Sequence, residues 1–170
     1  MLHNLSSFIG IAISLQLQKR LHSLCELVER EVAHLQVTDQ RLFQEPFTAG
    51  RAAQLEADID LAERVDAFLT RFGCLQDTLR SKLLPAYLSA FGKPVATFLE
   101  NLDHAERLGL VPDAEVWLTM RQLRNPMAHD YLRDAAVLAT SLQAAHEFVP
   151  VLIETAAQFC QRIKTQSSIF

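Results

Sequence analysis

Leu61, Val65, Phe68, Phe72, Leu75, Leu79 and Leu83 step along the chain by four and three. At that spacing an apolar side chain returns to one side of an α-helix at each turn. In a strand the same residues would scatter over both faces. A stripe sustained this long needs other helices against it, so it commits the chain to helix-on-helix packing. The seam predicts a long helix from about Ala52 to Ala90, kinked near Gly73 or Pro85 and ended by Gly92-Lys93-Pro94.

The flanking sequence repeats the pattern. Leu17, Leu21, Leu24, Val28 and Leu35 predict an amphipathic helix over about 15–35, with Lys19, Arg20, Glu29 and Arg30 largely on other faces. The period is lost over 36–50, which holds Pro46 and Gly50 and reads as a connector. A short helix is expected over about 95–108, with Gly109 at its C-terminal cap. Asp113 is placed to cap a helix that Pro126 stops at Asn125. The last helix is expected to start between Asp130 and Asp134. Its seam is Leu138, Leu142, Ala145, Val149, Leu152, Ala156, Phe159 and Ile163, with Pro150 bending or breaking it.

No stretch alternates like a strand, and only 5 Gly and 6 Pro occur in 170 residues, too few for a turn-rich β fold. The fold class is therefore all-α: an antiparallel helical bundle of four main helices plus short ones. One domain spanning 1–170 is expected, with 1–14 as an arm and 165–170 as a frayed tail. The apolar run from Leu5 to Leu17 lacks a basic start and a cleavage site, and it is too short to cross a bilayer. No membrane is expected. The long seams exceed what one protomer buries easily, which favours a homodimer.

The 20 acidic and 16 basic residues give a net charge of −4, which argues against non-specific coating of nucleic acid and leaves room for a local basic pocket. Cys25, Cys74 and Cys160 are far apart, sit among apolar neighbours and form no C-x-x-C. They are read as reduced core residues of a cytoplasmic protein, and clustered metal ligands are absent.

Arg124-Asn125-Pro126-Met127-Ala128-His129-Asp130-Tyr131 carries the chemistry that packing does not require. A guanidinium binds phosphate through two parallel hydrogen bonds and never loses its charge. An imidazole titrates near neutrality and suits proton transfer. The expected turn after Arg124 would bring it and His129 towards one pocket, and a helix start there would add amide donors. Asn125 is placed to orient the imidazole or donate to a phosphate oxygen, and Tyr131 lies two residues on. Trp117, Arg121 and Arg124 share a helix face beside an apolar stripe of Val116, Met120 and Leu123. The plain alternatives are a solvated basic face and a histidine that caps a helix.

The string WLTMRQLRNPMAHDY from Trp117 resembles the signature of the HEPN superfamily, especially HepT-like toxins, in the form R-N-x-x-x-H-x-Y. The segment RFGCLQDTLRSKLLP, Arg71 to Pro85, is similar to the second-helix pattern of HEPN proteins associated with nucleotidyltransferases. The resemblance covers most of the chain from about Leu15 to Phe159. It implies a dimeric HEPN-like bundle acting as a metal-independent endoribonuclease, with Arg124 and His129 as the catalytic pair and Asn125 beside them. RNA is the implied substrate, and no cofactor or metal is implied. An MNT-type nucleotidyltransferase antitoxin is the implied partner, with Tyr131 as the side chain it modifies with AMP. Arg121 is a supporting cation. Asp77 either supports Arg124 or His129 or forms an ion pair with Arg80 or Arg71. Two other readings stand beside the nuclease: a non-catalytic HEPN protein that binds nucleotide for a nucleotidyltransferase, and a plain helical interaction module.

Overall fold

The computed structural model describes the backbone of residues 2–94, 96–129 and 134–167, and side chains outside 1–14, 95, 124–133 and 166–170. The described chain is all-α, 82% helical and without strands. Helix α1 (Leu2–Leu42) is followed by one turn of α2 (Ala49–Ala52), then by α3 (Ile59–Thr78), a π-helical turn (Leu79–Leu83) and α4 (Leu84–Ala90). Helices α5 (Phe98–Arg107), α6 (Ala114–His129) and α7 (Ala135–Ser167) complete the order.

Helix α1 is the organising element. Leu21, Val28, Leu35 and Leu42 recur every seven residues and are all buried, with Cys25 and Thr38 on the same stripe. One side packs on α3. There Arg71 donates to the His34 carbonyl and the Thr38 hydroxyl, and Thr78 Oγ1 donates to Glu31 Oε1 at 3.0 Å. The other side packs on α7. There His146 Nδ1 lies 2.7 Å from Asp39 Oδ1, Lys164 pairs with Glu29, and Cys160 Sγ lies 4.0 Å from the Cys25 carbonyl. Rising numbers on α1 meet falling numbers on both neighbours, so α1 runs antiparallel to each. Phe43 joins all three helices near the end of α1: it stacks on His146 with centroids 4.2 Å apart and meets Phe68 edge-on at 5.1 Å.

The residues of the expected seam, Leu61 to Leu83, are all buried, but the boundaries differ from expectation. Helix α1 continues to Leu42, through residues assigned to the connector, because Leu35, Thr38 and Leu42 keep the helical step. The connector proper is held by Arg51, whose guanidinium donates to the carbonyls of Leu42 and Glu45 and so caps the end of α1. Helix α3 starts at Ile59 rather than near Ala52, with Asp58 accepting from the Leu61 amide at 2.9 Å. The break near Pro85 is a π turn. Proline offers no N–H and its ring crowds the carbonyl four residues back, and the wider turn relieves that crowding.

Thr97 and Glu100 form a capping box at the start of α5, and Gly109 adopts φ +65° after its end, as the sequence predicts. Asp113 accepts from the Glu115 amide ahead of α6, and Asp134 accepts from the amides of Ala136 and Val137 ahead of α7. Helix α7 is continuous through Pro150, which leaves the His146 carbonyl without its usual amide donor. It is long and apolar enough to cross a membrane by length and composition; here the seam Leu138 to Ile163 is buried against the bundle. The helix also includes residues 165–167, where a frayed tail was expected.

Cys25 and Cys160 are buried, but Cys74 is exposed, which corrects its assignment to the core. Cys25 and Cys160 meet across α1 and α7. Hydrogen bonding with Cys25 and burial push the Cys160 thiol well up, and the same hydrogen bond pulls Cys25 down.

Candidate functional site

Helix α6 passes through Pro126 and ends at His129, so the turn expected between Arg124 and His129 is absent. Both residues stand on one helix. Five positions apart, they are separated by about 7.5 Å of rise and about 140° around the axis. Asn125 lies one turn from both Arg121 and His129, and Arg121 one turn before Arg124. The side chains of Arg124, Asn125 and His129 lie outside the described set, and Tyr131 lies outside the described residues altogether.

Ahead of the motif the side chains are defined. Trp117 is buried, not set on an exposed basic face, and packs in the core with Met120; Val116 and Leu123 are only half-buried. A tryptophan buries more apolar area than a valine, and α6 rotates to cover it. Among the described residues the Trp117 Nε1 has no hydrogen-bond partner. Arg121 is exposed, with its guanidinium carbon 5.7 Å from the Phe98 ring centroid. Arg80, from the π turn, approaches the same ring at 5.4 Å. Asp77 lies one turn before Arg80 and bonds its guanidinium at 3.3 Å, so one of the ion pairs foreseen for Asp77 is present. Phe98 itself opens α5 directly after Thr97.

Four elements, α3, the π turn, α5 and α6, thus bring Asp77, Arg80, Phe98 and Arg121 together. Of the sequence-derived candidates, this cluster contains Asp77 and Arg121. Arg80 and Phe98 are additions. Phe98 carried one sequence signal, its place behind the cap in Thr97-Phe98-Leu99-Glu100. Its neighbours from the π turn and α6 are long-range contacts that no local pattern encodes. Among the described residues no group of three or more His, Cys, Asp or Glu side chains is arranged to hold a metal ion. Neither the family models, nor the curated proteins, nor the solved structures compared with this chain match it.

Proposed function

We propose that this chain is a HEPN-type, metal-independent endoribonuclease of the HepT-like class, the toxin of a pair whose antitoxin is an MNT-type nucleotidyltransferase. The observation that carries the reading is that the R-N-x-x-x-H positions lie on helix α6, directly after the turn of Arg121, which shares the Phe98 ring with Arg80. The all-α bundle with long antiparallel helices is the scaffold such a motif requires.

RNA supplies its own nucleophile. One His129 takes the proton from a 2′-hydroxyl, and the oxygen attacks phosphorus. A second His129 protonates the departing 5′-oxygen, leaving a 2′,3′-cyclic phosphate and a 5′-hydroxyl. Arg124 stabilises the charge that builds on the phosphorane oxygens. Two imidazoles and two guanidiniums then cover every charge and proton in the step. Positions about 140° apart on one helix are poorly set to grip a single phosphorus. That supports a site completed by α6 of a second copy across a two-fold axis. AMP on Tyr131 would bring a phosphate and a nucleoside into this cleft and exclude RNA by charge and bulk.

Purified protein is expected to cleave RNA in EDTA, and Arg124→Ala or His129→Ala to abolish cleavage. A wild type free of AMP that leaves a panel of RNAs intact would overturn the reading. The net charge of −4 favours one alternative, a HEPN protein that binds nucleotide for its nucleotidyltransferase without cutting. Nucleotide binding that survives in such an inactive wild type would establish it.

A further inference from the structure

From the cluster around Phe98 we infer a binding site for the phosphodiester backbone of single-stranded RNA. Arg80 and Arg121 act there as a two-cation clamp that feeds the strand towards Arg124. The inference rests on the nuclease reading and adds to it a substrate-holding surface outside the R-N-x-x-x-H motif.

Two permanent cations that share one ring repel each other, so their convergence needs a cause. The ring supplies it in part, since both guanidinium carbons lie within cation–π range of Phe98, at 5.4 and 5.7 Å. Asp77 pairs with Arg80. Arg121 meets no carboxylate among the described residues. Glu100 is two positions beyond Phe98, roughly on the far side of α5, and its carboxylate is occupied by the Thr97 hydroxyl and amide. The cluster is therefore left with uncompensated positive charge on a face that water reaches.

The backbone adds a second observation. Arg80 issues from the π turn Leu79–Leu83, the only departure from α-geometry within the α3–α4 rod. Single π turns inside α-helices are frequent at functional sites, and this one, set by Pro85, also sets where Arg80 leaves the rod. Contact with the ring restrains both guanidinium groups, and the N–H groups not given to Asp77 remain for an acceptor, so less side-chain freedom is lost when phosphate binds. Arg121 precedes Arg124 by one turn, about 4.5 Å along the axis. A strand held at Arg80 and Arg121 thus runs towards the motif.

The test uses a fluorescent single-stranded RNA with a 2′-O-methyl group on every sugar, which lacks the nucleophile and stays uncut. Fluorescence anisotropy is measured over a range of salt for the full chain and for Arg80→Gln, Arg121→Gln, Arg121→Lys and Phe98→Leu, with Arg30→Gln on exposed α1 as control. Each Gln variant is expected to bind several-fold more weakly whatever the RNA sequence, and its log–log salt slope to fall by about 0.7. Arg121→Lys should keep the slope, and Phe98→Leu should lose affinity with the slope kept. If Arg80→Gln fails to fold by circular dichroism, exposed Arg121 decides the question alone. A wild type that does not bind the probe, or Gln variants with the wild-type slope, overturns the clamp. A wild type that binds through both arginines but cuts no unmodified RNA supports the clamp and overturns the nuclease. One that cuts RNA with its slope unchanged in the variants does the reverse.

Discussion

Glu31 illustrates how one buried polar atom writes itself into stability. Thr78 satisfies Oε1, but Oε2 is buried without a hydrogen-bond partner among the described residues, and burial raises the carboxyl pKa above its usual value. The folded state therefore holds the proton more tightly than the unfolded chain. The favourable contribution is complete below the unfolded pKa and is lost as pH rises through the folded one. Glu31→Gln should melt higher than the wild type at pH 7, with the gap closing towards pH 4 in paired thermal scans. The cysteines yield a second residue-scale expectation: iodoacetamide should label Cys74 in the native protein, and Cys25 and Cys160 only after unfolding, as read by peptide mass mapping. Sequence showed that Asp77 had a cation one turn away, because i,i+3 spacing is local. It could not show that Trp117 turns inward or that Cys74 turns out, since which side of an amphipathic helix wins depends on what packs against it.

At the scale of elements, periodicity located the helices and capping chemistry located several of their ends. Gly109, Asp113 and Asp134 act where the sequence places a helix end, and the Thr97 capping box starts α5 shortly after the expected position. The Asp58 cap predicts that Asp58→Ala costs about 1 kcal/mol in urea unfolding, with no change in m-value. Gly109→Ala should destabilise by about 1–2 kcal/mol, because φ +65° strains any side chain. Proline was a mixed signal: the break expected near Pro85 is present as the π turn, while the stop expected at Pro126 is absent. Pro126 and Pro150 both lie inside helices that continue past them, and Pro85 opens α4 after a π turn. Around Pro150 the seam of α7 is buried against the bundle, and that burial outweighs one lost hydrogen bond. For the candidate site this matters directly, since Arg124 and His129 were expected on opposite sides of a turn and instead share α6.

Across the whole molecule the core is continuous from α1 to α7, with Phe68, Phe72 and Phe159 among its largest fully buried side chains. Phe72→Ala should cost about 3–5 kcal/mol by chemical denaturation, a large share of the about 5–15 kcal/mol typical of a domain. If the nuclease is built from two facing α6 helices, light scattering should show a dimer, and a variant locked as a monomer should lose RNA cleavage with its motif intact. The all-α class was legible because a seam of four-and-three steps has one physical meaning. The meeting of the π turn, α5 and α6 around Phe98 was not, because it arises from tertiary packing between residues far apart in the chain.

The antiparallel pairing of α1 with α7 also sets a schedule for the growing chain. Asp39 and His146 are 107 residues apart, and Cys25 and Cys160 are 135 apart. On a ribosome adding about 5–20 residues each second, α1 waits roughly 5–20 s or more for that partner. Helix α3 arrives first and covers one side. The other side of the heptad stripe stays bare in the meantime, and chaperone capture of the nascent chain should concentrate there.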